Sequence, residues 1–583
     1  MKRTVKLLIL YLLSTTITSS CIEIEKYEDG RISYDEIFQN DKKTAAYLNL
    51  CYSNLGTYGM GYGENTLLAG FSDEAYDAND ILNGRAFQWH DGRLTPYANP
   101  IDNGLWNNYW TGIRYCNVFL ANINDAQISI ETNRNSWRAQ AYTLRAYYYL
   151  QLIKRFGGVP IITEPVETGF DYSKVRKSTF SECARQIFSD CKNALEAKDN
   201  ELGWRSGNAE NDRGKMTKAV VHAIMSQTAL YAASPLWNDG NITWKEAAKI
   251  CLNALNECKK HGYDLFKSQP APNAGYSPYD MYFYSRSDIN GATDKETIYE
   301  CRNRMSIYRF ATAPMNDAAE KAGACPSQEL VDAYETIDGI VPILGYKDKE
   351  HLQPIINPDA KKYNESKPYE NRDPRLKASI YYNGSLYALN NPNSTIYTYK
   401  NGNCALSKTN IRNTRTGYYV RKFLNFTSNK SINNDGYFKI FRLGELYLNA
   451  AEALNEASTS GEAPTEAINA INEVRSRVQM PKIKAMSKEE FRKRIRNERR
   501  IELAFEEHRF YDVRRWKILS ETDQIVTGMS CSLQNGQYKY KRIIVDDNRK
   551  AWEDKFLVFP IPGDEVIKLK NLTGIDFQNP GWK

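Results

Sequence analysis

Small residues recurring at helical spacing constrain this chain more than any other feature. Across residues 137–156, Ala141, Leu144, Tyr148 and Leu152 fall on one helix face, with Ala139 and Ala146 beside them. That spacing defines an amphipathic helix, and alanine at its crossing points lets a neighbouring backbone approach closely. The pattern repeats at 215–233, through Ala219, Ala223, Leu230 and Ala233, and stops before Pro235. It repeats again at 244–260, with Ala247, Ala248, Cys251 and Leu255 inward. Residues 442–457 carry Leu443, Leu446, Tyr447, Ala450 and Leu454, and residues 466–478 carry Ala467, Ile468, Ile471, Val474 and Val478. Ser460, Gly461 and Pro464 punctuate the turn between those two, which makes a helical hairpin. Such pairs are similar to tetratricopeptide units, with spacing too irregular for a clean repeat. The expected fold is mainly α: tetratricopeptide-like hairpins split by long insertions.

The largest insertion, about 262–440, is rich in Gly, Pro, Asn, Ser and Tyr, with strand-like runs only at 380–382 and 418–423. Long irregular segments in a compact protein usually carry function or pack over the scaffold. Charge does not by itself argue for nucleic acid, which is not expected as a partner: 77 basic residues against 70 acidic ones leave only +7. Tyrosine is in excess, at 40 against 21 phenylalanines. Its flat apolar face and polar tip suit helix packing and wet recognition surfaces alike.

At the N-terminus, Lys2, Arg3 and Lys6 precede the apolar run 7–13. The run is too short to span a bilayer and reads as the core of a signal peptide, residues 1–20. Cys21 follows Thr18, Ser19 and Ser20, the small residues of a lipidation motif without its usual leucine. A lipidated Cys21 would hold the chain on a membrane at about 0.8 kcal/mol per buried CH₂. Residues 21–40, with Glu23, Glu25, Glu28 and Asp29, form an acidic tether. The remaining ten cysteines include no C-x-x-C. Cys183/Cys191 and Cys251/Cys258 lie two turns apart on one helix face, too far to bridge directly, and read as small buried hydrophobes. A disulfide elsewhere stays open.

No motif announces catalysis. His90, His222, His261, His351 and His508 are scattered without metal-ligand spacing, and Gly59, Gly61 and Gly63 read as a turn rather than a phosphate loop. No cofactor and no metal is expected. A glycosidase needs only two carboxylates near each other in space, so a surface glycosidase stays open as a remote alternative.

Ten ordered blocks carry a family resemblance. They are WNNYWTGIRYCNVFLAN (106–122), RAYYYLQLIKRFGGVPI (145–161), ALYAASPLWN (229–238), PSQELVDAYE (326–335) and NRDPRLKASI (371–380). GYYVRKF (417–423), FRLGELYLNAAEALNE (441–456), INEVRSRV (471–478), RNERRIELAFEEHRFYDVRRWK (496–517) and FPIPGDEVIKLKNLTGIDFQNPGW (559–582) complete the set. Together they resemble the SusD/RagB family of nutrient-uptake lipoproteins. The resemblance implies one SusD-like domain over 41–583, a right-handed superhelical scaffold. Its parts would be a tetratricopeptide-like region at about 41–261, the loop-rich insertion at about 262–440 and a C-terminal helical part at about 441–583. It further implies an outer-membrane lipoprotein facing the cell exterior, and a SusC-like TonB-dependent β-barrel transporter as partner. The role would be capture of oligosaccharides without catalysis, with peptides as the alternative cargo.

Most blocks read as structural. Arg372-Asp373-Pro374-Arg375 has the chemistry of a turn held by ion pairs. The helix after Ser487, with Glu490 completing a capping box, interleaves arginines with glutamates. Pairs Glu489/Lys493 and Glu490/Arg494 are expected on its face. A glycan site needs aromatic platforms beside planar polar groups, and two regions offer both. The early loop holds Asp73, Asp77, Asn79, Arg85 and Trp89, and the start of the insertion holds Tyr276, Tyr279, Tyr282, Phe283, Tyr284 and Arg286. In glycan-binding members of the family the site is similarly built from an N-terminal loop and a mid-chain segment. Trp106 and Trp110, on a helix, are expected in the core.

Overall fold

The computed structural model describes residues 33–101, 104–167, 169–206, 214–267, 275–284 and 294–582. The signal segment, Cys21, most of the acidic tether and Arg286 lie outside the described residues.

Six helices of twelve residues or more build the described first half: α1 (Asp41–Tyr52), α2 (Leu105–Asn122), α3 (Glu131–Phe156), α4 (Phe180–Leu195), α5 (Lys218–Ala233) and α6 (Trp244–Lys260). Their starts follow from the caps. Thr179 and Glu182 form a capping box on α4, and the hydroxyls of Thr217 and Thr243 accept the orphan amides of α5 and α6. Each helix packs on the next in chain order. The predicted stripe residues Ala141, Leu144, Tyr148 and Leu152 are fully buried. At Gly112 on α2 an added Cβ would lie 2.5 Å from the Tyr148 ring of α3, so glycine is what permits that approach. Helix α5 departs from the one-stripe reading. Every residue in it except Met225 is buried, because helices pack on both sides.

After α6 the chain leaves the stack for the insertion, which begins with α7 (Pro278–Tyr284) and includes α8 (Pro374–Ser379). Strands β1 (Thr297–Arg304) and β2 (Tyr437–Arg442) pair antiparallel, Thr297 opposite Arg442, and so close the insertion at its base. The two strand-like runs do pair, with Ile380 opposite Val420 and Tyr381 opposite Tyr419. The stack then resumes as α9 (Leu443–Ala457), which packs against α6 and carries α10 (Thr465–Arg477) and α11 (Lys488–Glu502) on its other side. Helix α12 (His508–Arg515) and the hairpin of β3 (Val526–Gln534) and β4 (Gln537–Asp546) follow. The result is a tetratricopeptide-like helical scaffold with the insertion laid over its C-terminal helices.

Charge fastens the insertion down. Arg375 at the start of α8 pairs with Asp373 at 2.7 Å, Glu498 at 2.6 Å and Glu502 at 2.9 Å, all fully buried. Arg442 reaches Glu296 and Glu502, each at 2.8 Å, and Glu506 at 2.6 Å. Arg477 bridges Glu296 and Glu502, and Lys422 pairs with Glu506 at 2.7 Å. Burial alone would raise the Glu502 pKa, but Arg477, Arg442 and Arg375 outweigh it and hold the carboxyl well below its usual range. The expected turn at 372–375 is therefore one corner of a buried charge lattice. The expected i,i+4 pairs on α11 give way to other partners: Arg494 reaches Glu335 at 3.0 Å, and Glu489 pairs instead with Arg492 one turn on, which also reaches Glu456 at 2.6 Å. Neighbouring elements offer carboxylates in a less solvated setting than the helix's own surface, where an ion pair is worth little. All ten described cysteines are free, and all but Cys301 are buried.

Candidate functional site

Alternation along a strand puts residues i and i+2 on the same face. Tyr538 and Tyr540 obey it on β4, and a second Tyr-x-Tyr sequence, Tyr397 and Tyr399, lies in irregular chain of the insertion. The β3–β4 hairpin turns through Asn535 and Gly536, both at positive φ (49° and 74°), which suits a tight two-residue turn. It brings β4 beside the insertion. There the Tyr397 and Tyr399 rings lie 5.5 Å apart, and Tyr399 lies 6.0 Å from Tyr538 at an interplanar angle of 30°. The three rings are half-buried and form a shallow tilted row.

A second row supports the first. Tyr369 stacks on Tyr382 at 4.2 Å and meets Tyr540 edge-on at 5.4 Å. Its hydroxyl donates to Tyr418, whose own hydroxyl donates to Gln328 at 2.6 Å. Two asparagines fix the loop around the rings. Asn383 accepts from the Thr398 amide at 3.0 Å, and Asn403 accepts from the Tyr397 amide at 2.8 Å. Burial pushes the Tyr540 phenol up to about 12, and burial together with Tyr397 and Tyr399 raises that of Tyr538. The array offers ring faces with hydroxyls at their edges, chemistry that suits stacking against the apolar C–H faces of a sugar and hydrogen bonding to its hydroxyls. The nearest carboxylate in sequence to Tyr369, Glu370, is ion-paired with Lys367 at 3.0 Å.

The residues nominated from sequence lie elsewhere, and most are core. Trp89 sits in the short helix Arg85–His90 rather than a loop, with no exposed surface. Phe510, Phe556 and Phe559 ring it at 5.7–5.8 Å, so it packs the scaffold and cannot stack on a ligand in this conformation. Asp73 is buried and accepts from Arg500 and Arg509 at 2.8 Å. Burial would raise its pKa, but the two arginines hold it at about 2. Asn79 is buried and accepts from Lys321. Arg85 alone of that group is open to solvent, 3.9 Å from Glu64. Tyr276, Tyr279 and Tyr282 are also buried, the last two on α7. Tyr279 donates to the Glu502 carbonyl at 3.0 Å, and the Tyr282 hydroxyl lies 2.9 Å from that of Thr297. Tyr284 ends α7. Trp106 is buried as expected, and Trp110 is half-buried against the core. Sequence reading missed the array, although the paired Tyr-x-Tyr alternation was its visible signal.

A separate open cleft of about 750 Å³ lies beside α2 and α3, lined by Tyr142, Arg145, Glu164, Glu167 and Phe170 among others. Its arginine is already committed to Asp190, Asn117 and the Thr163 carbonyl. Among the described residues no group of His, Cys, Asp and Glu is placed to hold a metal, and no helix is long and apolar enough to cross a membrane.

Comparison with known proteins defines the class. The pattern described as the SusD family matches residues 283–582, and one described as "Starch-binding associating with outer membrane" matches residues 31–202. The chain belongs to the SusD family. SusD-like protein P25 of Formosa agariphila is 37% identical over 438 residues, which cover 72% of this chain and 71% of the relative. SusD-like protein P2 of the same organism is 23% identical and covers 99% of both chains. A solved SusD-like protein from Bacteroides fragilis superposes with a TM-score of 0.74 at 26% identity, covering 94% of this chain and 98% of its own. A solved laminarin-binding SusD-like protein shares the fold, with a TM-score of 0.59 at 20% identity and coverage of 93% of this chain and all of its own.

Proposed function

We propose that this protein captures oligosaccharides at the cell exterior on the tyrosine array and passes them, unaltered, to a SusC-like TonB-dependent β-barrel transporter. The array carries the reading: half-buried rings in a row, backed by a fixed second row, are a stacking platform. Membership of the SusD family supports it, as does the laminarin-binding description of a relative with this fold. A lipid on Cys21 would anchor the chain in the outer membrane, with residues up to about 40 as the tether. Helices α1 to α6 would then serve as a frame and the insertion as the ligand-bearing part.

Electrophoresis through gels impregnated with single polysaccharides tests the capture step. The wild-type protein should be retarded by at least one polysaccharide, and the Tyr399→Ala/Tyr538→Ala double variant should run freely in that gel. Equal retardation of both would place the ligand elsewhere, and retardation by none would end the glycan reading.

A further inference from the structure

Two segments that supply most of the array are free of acid. From Pro374 to Asn434 the chain has no aspartate or glutamate, and it has none from Gln524 to Val545. With 70 acidic residues in 583, average composition does not produce a run as long as the first, whereas acid-free runs longer than the second occur elsewhere, as from Thr132 to Thr163. These stretches supply Tyr382, Tyr397, Tyr399, Tyr538 and Tyr540.

Their basic residues divide in two. Arg375, Arg415, Arg421 and Lys422 are buried, and each is neutralised by carboxylates outside those stretches: Arg375 by Asp373 and α11, Arg415 by Asp80, Arg421 by Asp280 and Lys422 by Glu506. Arg542 and Lys430 likewise pair, with Asp332 and Asp317. The other group is Lys377, Lys400, Lys408, Arg412, Lys539 and Lys541. All six are exposed, and none has an ion-pair partner among the described residues.

Three of the six border the rings directly in sequence. Lys400 follows Tyr399, and Lys539 and Lys541 alternate with Tyr538 and Tyr540 along β4. Adjacent residues on a strand are only about 3.4 Å apart, so even lysines on the ribbon's outer face act within the ~10 Å screening length of the rings. Uncompensated charge of one sign around a shallow site raises the local concentration of oppositely charged ligand.

We propose that the array selects an anionic polysaccharide, one whose sugars bear uronic carboxylates or sulfate esters, over a neutral glucan. This rests on the reading of the array as the glycan site. The rings would grip the sugar faces while the lysines meet the anionic substituents.

Calorimetric titration of the purified protein with polygalacturonate, carrageenan, laminarin and amylose, at low and high NaCl, tests it. One of the two charged polymers should bind, carboxylated or sulfated, and added salt should weaken it. A Lys400→Gln/Lys539→Gln/Lys541→Gln variant with an unchanged melting temperature should bind it about tenfold more weakly. The Tyr399→Ala/Tyr538→Ala variant should not bind it, which separates site binding from general coating by a polyanion. Binding of a neutral glucan with no response to salt or to the lysine variant would overturn the proposed charge selection and leave the array as a glycan site. Polyanion binding that survives loss of the tyrosines would also overturn it. Failure of all four polymers would sink the glycan reading itself.

Discussion

Replacing Glu502 with glutamine should cost this protein more stability than its single lost charge suggests. Its Oε1 accepts from Arg442 at 2.8 Å and also from Arg477, while its Oε2 accepts from Arg375 at 2.9 Å. The side chain is fully buried, so water cannot take over any of these roles. Glutamine keeps the shape but removes the charge that three guanidiniums share, and it turns an NH₂ donor toward one of them. Breaking a buried pair by removing one partner costs about 3–5 kcal/mol, because the other charge stays behind without compensation. Glu565→Gln is the control: it removes the half-buried surface partner of the exposed Lys568 at 3.0 Å, and such surface pairs contribute about 1 kcal/mol or less. Urea unfolding followed by tryptophan fluorescence reads the difference. With a slope near ~3 kcal/mol/M the Glu502→Gln midpoint should fall by about 1 M or more. A shift no larger than the control's would refute the claim that this lattice holds the insertion to the scaffold.

Other outcomes follow from the same packing. Trp89→Ala should lose about 3–5 kcal/mol of stability by emptying an aromatic cage, while leaving the affinity of the remaining folded protein for glycan unchanged; a specific loss of affinity would restore Trp89 as a ligand contact. Glu74 is buried and pushed up to about 8 by burial and then by Asp73. A raised carboxyl binds its proton more tightly when folded, so it costs no stability below the unfolded value near 4.5 and a growing amount as pH rises toward 8. Glu74→Gln should therefore stabilise the protein at pH 7 and 8 and lose that advantage below about pH 4.5, as urea midpoints across pH would show. Cys21→Ala should move the protein from the membrane fraction to the soluble fraction on cell fractionation, and retention in the membrane would refute the anchor.

The helical frame was legible because close packing imposes its period on the sequence. The 244–260 helix has the bounds its stripe predicts, and the 137–156 stripe misses only the more polar first turns of α3. The buried charges were not legible in the same way. Arg375 and Glu498 are 123 residues apart, and nothing local tells a carboxylate facing solvent from one facing a guanidinium. Ser277 and Pro278 read as loop punctuation, yet proline suits the first turn of a helix, and the Ser277 hydroxyl accepts from the Asp280 amide there. Tyr279 and Tyr282 are thus expected on the surface, when α7 turns them inward. The array escaped because its two halves are far apart in the chain. Each half, seen alone, is only a tyrosine pair on an edge.

The proposed function is that the rings hold a sugar without cutting it. Calorimetric titration with a bound oligosaccharide, followed by chromatography of the recovered ligand, measures both halves of that statement. Saturable binding, lost when Tyr399 and Tyr538 become alanine and with the oligosaccharide recovered at its starting length, is the predicted result. Shortened products, or an isotherm indifferent to those two tyrosines, would contradict it.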